Sequence, residues 1–136
     1  MTETANLLAL IQQTLDDFCD TQREKFNAIS PDLSPVIANS KSLLQGGKRF
    51  RALFAYYAWS GTLAVAQNKQ NPEQLSASSE AMVGITSALE MFHAAALVHD
   101  DILDNSDTRR GEPSVHKKFE SLHRADGYAG SPSRFG

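Results

Sequence analysis

Residues 81–104 read AMVGITSALEMFHAAALVHDDILD, a long apolar run rich in alanine that closes on three aspartates. Its length and small side chains suit a helix that neighbours approach closely, at the centre of a bundle. Working outward, Leu7, Leu8, Ile11, Leu15, Phe18, Phe26 and Ile29 recur at three- and four-residue spacing. That spacing predicts an amphipathic helix over about 4–29, ended by Pro31, with Cys19 on its inner face. Ser34-Pro35 predicts an N-cap with proline at the first helical position, opening a short helix that Gly46-Gly47 stops. A third helix is expected from about Lys48 to Ala64. Asn71-Pro72-Glu73-Gln74 reads as a cap with Gln74 completing a capping box, and the central helix then runs to about Asn105. No run alternates as a strand, and no internal repeat is visible. The expected fold is therefore all-α, a bundle of about four main helices over residues 1–119, followed by a flexible tail over 120–136 in which glycine, serine and proline replace the helical pattern.

Composition excludes several classes. A net charge of −3 gives no global reason to expect nucleic acid as a partner. One cysteine among 136 residues rules out an internal disulfide framework. With no signal peptide and no apolar run of membrane-spanning length found in this reading, a cytoplasmic protein that does not span a membrane is expected.

The chemistry gathers at the end of the central helix. Asp100 and Asp104 stand four residues apart and leave one helix face, with His93 and Leu97 on the same face upstream. Three acids at the negative pole of a helix are unfavourable without a counter-charge. Hard carboxylate oxygens with room for water suit Mg²⁺, and Arg109-Arg110 just beyond would face phosphates that such a metal also holds. Asp16-Asp17 with Asp20 spells the same pattern in the first helix and reads there as a solvated polar face. In Gly46-Gly47-Lys48-Arg49-Phe50-Arg51, glycines permit a tight turn, and Lys48 and Arg51 are expected on one side of the next helix's first turn. A helix N-terminus carrying two cations suits a diphosphate. It is not a Walker loop, because the lysine follows its glycines directly and no Ser or Thr comes next.

Taken together, Gly46-Gly47-Lys48-Arg49-x-Arg51, then Glu90-x-x-His93-x-x-x-Leu97-x-His99-Asp100-Asp101-x-x-Asp104, then Asp107-x-Arg109-Arg110-Gly111-x-Pro113 resemble the trans-isoprenyl diphosphate synthases, or polyprenyl synthetases. The resemblance spans about residues 36–119. It implies a helical bundle of the isoprenoid synthase type, usually a homodimer, that joins isopentenyl diphosphate to an allylic diphosphate. On that resemblance the catalytic carboxylates are Asp100, Asp101 and Asp104. Asp100 and Asp104 hold Mg²⁺, and Asp101 supports them. Arg109 contacts the allylic diphosphate, while Lys48, Arg51, His93 and Arg110 hold isopentenyl diphosphate. His99 is rotated off this face and reads as structural.

Ala95 and Ala96 fall where the resemblance places the wall of the elongation pocket, with Met91 and Phe92 one turn below as its floor. Two small side chains, and an Asp-rich motif without the expansion of many bacterial farnesyl-forming members, imply a product of about geranylgeranyl length or longer. The same alanines equally serve helix packing. The family's second Asp-rich motif is absent from this sequence, so the chain is expected to be an N-terminal portion, inactive alone. Two other readings stay open: a non-catalytic synthase-like partner subunit, and an HD-type metal phosphohydrolase using His93 with His99-Asp100.

Overall fold

The computed structural model describes residues 3–66 and 72–136, with side chains outside 64–66 and 72–77. Its elements are helices α1 (Glu3–Ile29), α2 (Ser34–Leu43), α3 (Phe50–Ala66), α4 (Pro72–Leu103), α5 (Val115–Ala125) and α6 (Pro132–Phe135), with a 3-10 turn at Pro31–Leu33. A two-stranded hairpin, β1 (Thr108–Arg109) with β2 (Glu112–Pro113), lies between α4 and α5. The protein is all-α, as the helical periodicity predicts. The hairpin is a departure from that reading, and strands of two residues are too short to show alternation. The expected cap at Asn71–Gln74 lies outside the described residues and side chains. Two compact units divide the chain, residues 1–92 and 93–136.

In the first unit α1 buries Leu7, Ile11, Leu15 and Cys19, a strict four-residue stripe. Burying each such aliphatic side chain is worth about 1.5–3 kcal/mol. Phe18 (45% exposed) and Ile29 (76%) belong to the sequence pattern but not to this stripe. α1 packs on the 3-10 turn and on α2. Ser34 is not the N-cap of α2. Its hydroxyl donates to Asn27 Oδ1 at 2.7 Å, while Ser30 Oγ accepts the Asp32 amide at 3.2 Å and caps the 3-10 turn. The Asp16/Asp20 face, expected to be merely solvated, ties α1 to α2: Lys41 Nζ donates to Asp20 at 2.8 Å, and Gln45 donates to Asp16 at 2.9 Å. The Lys41 contact holds the Asp20 carboxyl below its usual range and lifts the Lys41 ammonium. A cavity of about 290 Å³ lies among Leu7 and Leu10 of α1, Tyr56 of α3 and Glu80 and Val83 of α4.

In the second unit the expected boundary at residue 119 falls inside α5, which continues to Ala125. α6 packs on α5. His123 is buried, its ring 5.2 Å from Phe135 and 5.9 Å from Tyr128, with Nε2 3.3 Å from the Ala129 carbonyl. Aromatic residues scattered through a glycine-rich stretch, without helical spacing, thus meet around one histidine. Glu120 is paired with Lys117 (3.0 Å) and Arg124 (3.1 Å), contacts that depress its carboxyl.

Against the expectation of no apolar run of membrane-spanning length, Ser78–Leu103 is long and apolar enough to cross a membrane, with a mean hydropathy of 1.5. Only 28% of its apolar stretch is buried among the described residues.

Candidate diphosphate and metal site

α4 ends in a device that fixes the aspartates. Asn105 adopts the left-handed conformation (φ 52°), the Ser106 amide bonds back to the Asp101 carbonyl at 2.8 Å, and the Asn105 amide bonds to Ile102 at 3.3 Å. These are the paired bonds of a Schellman cap, and asparagine is a residue able to take its left-handed position. Asp104 follows the last helical residue, and its amide still donates to the Asp100 carbonyl at 2.9 Å. Asp100 and Asp104 are therefore one turn apart, as the spacing predicts, and both are exposed.

Asp101 is turned the other way. Its side chain is only 4% exposed and receives Arg109 as a fork: Nε donates to Oδ2 and Nη2 to Oδ1, both at 2.7 Å. Arg109 Nη2 also approaches the Leu97 carbonyl at 3.4 Å. Charge-assisted bidentate pairs are the strongest class of side-chain hydrogen bond. This pair raises the Arg109 pKa further, chiefly through the Asp101 hydrogen bonds. The hairpin makes the fork possible. Arg110 (φ 54°) and Gly111 (φ 83°) form the turn, both left-handed, as a two-residue type I′ turn requires. Arg109 faces inward on β1 and Arg110 is exposed at the tip, so the adjacent arginines part company. The base of the hairpin is closed by the Ser114 amide donating to the Asp107 carbonyl at 2.9 Å.

Lys48 and Arg51 belong to the other unit, and both are exposed. The helix expected from Lys48 begins only at Phe50, because Gly46 (φ 68°), Gly47 (φ 86°) and Arg49 (φ 47°) hold the loop left-handed. Lys48 accordingly precedes α3 rather than sitting in its first turn, its Nζ 5.8 Å from the Phe50 ring centre. Two residues quoted in the sequence motifs without a role, Arg49 and Glu90, pair with one another. Arg49 is buried, and its guanidinium reaches Gln12 Oε1, the Leu44 carbonyl at 2.5 Å and Glu90 at 3.5 Å. Glu90 also accepts the Ala52 amide at 3.3 Å. Glu90 had a legible signal, being the one acid between Glu80 and Asp100 in an apolar helix.

His93 is half-buried, whereas His99, expected to be structural, is exposed. Of the four pocket residues, Met91 and Ala96 are half-buried, Ala95 is exposed, and Phe92 is 75% exposed. The 290 Å³ cavity is lined by none of these four.

No group of three or more ligating side chains converges among the described residues. Two exposed carboxylates one turn apart nonetheless fit Mg²⁺, which is commonly held by one or two carboxylates while waters and substrate phosphates complete its shell.

The geometry defines an α-helical protein whose acidic helix end and basic loop are both suited to phosphate chemistry. Comparison with known proteins narrows this class. The family model described as Polyprenyl synthetase matches residues 35–124, and the chain belongs to that family. It is 33% identical over 116 residues to heptaprenyl diphosphate synthase component 2 of Geobacillus stearothermophilus, covering 85% of this chain and 32% of that protein. It is 32% identical over 122 residues to a prenyl transferase of Synechocystis, covering 89% and 34%. The structure superposes on the crystal structure of geranylgeranyl pyrophosphate synthase from Corynebacterium glutamicum, complexed with isoprenyl diphosphate and magnesium. The TM-score there is 0.74 at 36% identity, covering 95% of this chain and 34% of that one. The chain thus spans about a third of the length of these relatives.

Proposed function

We propose that this chain carries the first metal and diphosphate site of a prenyltransferase that joins isopentenyl diphosphate to an allylic diphosphate. The observation that carries the reading is the end of α4. Asp100 and Asp104 are presented outward by a Schellman cap, and Asp101 is withdrawn to hold Arg109, all within the family-matched segment. Mg²⁺, when bound, neutralises diphosphate charge so that it can leave as an allylic cation develops.

The protein's own groups do the rest. Asp100 and Asp104 supply hard oxygen ligands. Arg109 is fixed by Asp101 through Nε and Nη2, which leaves its Nη1 group to meet the allylic diphosphate. Arg110 at the hairpin tip, with Lys48, Arg51 and His93, binds isopentenyl diphosphate. Ala95 and Ala96 leave room for a growing tail, giving a product of geranylgeranyl length or longer, and Met91 and Phe92 lie one turn below them. The working enzyme is a cytoplasmic homodimer. Spanning about a third of its relatives' length, this chain by itself is proposed to turn over no substrate.

The test incubates the 136-residue chain with Mg²⁺, isopentenyl diphosphate and farnesyl diphosphate, following binding and product together. Mg²⁺ retention that strengthens with diphosphate, lost in Asp100→Asn, is expected, with no prenyl product. Tight transition-metal binding that needs His93 and His99, with phosphate release, would overturn the reading in favour of a phosphohydrolase. A product of twenty carbons or more would overturn the statement that the chain is inactive alone.

A further inference from the structure

The basic loop contains three cations in four positions, and the structure treats the middle one differently. Lys48 and Arg51 are exposed, whereas the Arg49 side chain is only 5% exposed. Its guanidinium is drawn to Gln12 on α1, to the Leu44 carbonyl just after α2, and to Glu90 on α4. Its backbone sits at φ 47°, a conformation that a long side chain keeps only where surroundings hold it. Glu90 is 11% exposed and divides its two oxygens. Oε2 faces Arg49 at 3.5 Å and Oε1 accepts the Ala52 amide at 3.3 Å, one of the donors that the start of α3 would otherwise leave unmatched. One carboxylate thereby grips the chain on both sides of Phe50-Arg51.

Burying an ion pair is a poor way to gain stability, since apolar side chains of similar volume do as well. Its distinctive effect is to fix position. From this arrangement we infer that Arg49 and Glu90 are positioning residues for the diphosphate site: they set the loop so that Lys48 and Arg51 meet one diphosphate. The inference rests on the reading that Lys48 and Arg51 bind diphosphate. Neither Arg49 nor Glu90 touches the ligand itself.

The pair acts as a unit, so its removal is thermodynamically non-additive. Isothermal titration with isopentenyl diphosphate compares the native chain with Glu90→Gln, Arg49→Met, the double variant and Lys48→Ala. Amide exchange and backbone shifts over residues 48–52 are recorded alongside, and circular dichroism reports helix content. Each single variant is expected to weaken binding roughly tenfold at unchanged helicity, the double variant no further, and the Ala52 amide to exchange faster. Glu90→Gln keeps the shape of the side chain and serves should Arg49→Met lose helix. Native affinity in Glu90→Gln, with unmoved shifts over 48–52, would overturn the inference. If instead Lys48→Ala binds as the native chain does, the reading of the diphosphate site fails. The positioning pair is then judged on the Ala52 amide and the 48–51 shifts alone, and their constancy in Glu90→Gln overturns it.

Discussion

Three aspartates within five positions have two distinct jobs. Asp101 and Arg109 form a largely buried fork, so Asp101→Asn should cost about 2 kcal/mol of stability, since it strands a charged partner. Asp104→Asn, at an exposed position, should change stability by less than about 0.5 kcal/mol while weakening Mg²⁺-dependent diphosphate binding. Urea melts of the two variants beside titrations with Mg²⁺ and diphosphate check the opposition. A site in which all three carboxylates were equivalent would show no such crossing of effects. The sequence supplied the spacing of Asp100 and Asp104 because helical geometry is local. It was silent on the turn of Asp101 away from them, which depends on a hairpin whose strands are two residues long.

Helix boundaries show where local signals stop. The four-residue stripe of α1 was legible, yet Phe18 and Ile29 fit the same periodicity and lie outside the buried row. Periodicity marks a face but not its width. Ile11, fully buried, should cost about 2–5 kcal/mol when changed to alanine, read as a lowered denaturant midpoint. At the far end of α4, Asn105 holds a left-handed position (φ 52°). Asn105→Val should cost about 1–2 kcal/mol, whereas Asn105→Gly should keep the cap, because only the β-branched residue clashes there. In α5, Lys117 first and then Arg124 hold the Glu120 carboxyl below its ordinary value. A group whose folded pKa is depressed contributes stability above its unfolded pKa and loses it as pH falls through the folded one. Acidification below the ordinary glutamate range should therefore loosen α5, and Glu120→Gln should remove that part of the acid response. Helicity followed against pH in both proteins measures it.

Across the chain, the length of α4 was readable from its apolar run, but not which of its faces would stand open. Ile85 (56%), Leu89 (39%) and Phe92 (75%) recur at helical spacing and face solvent, as do Phe50 (55%) and Phe54 (72%) on α3. An exposed apolar row of this kind marks an interaction surface. The isolated chain should therefore bind an environment-sensitive apolar dye, and Ile85→Lys with Phe92→Lys should suppress the signal at unchanged helicity.

The single thiol also gives the molecule an internal clock. Cys19 lies in the sealed row of α1, 3% exposed, and burial raises its pKa, so reagents that need the thiolate meet it only when α1 lifts away. With no other cysteine in the chain to compete, the rate of labelling counts these openings one by one. Breaking the tether between α1 and α2 at Lys41 would make that clock run faster.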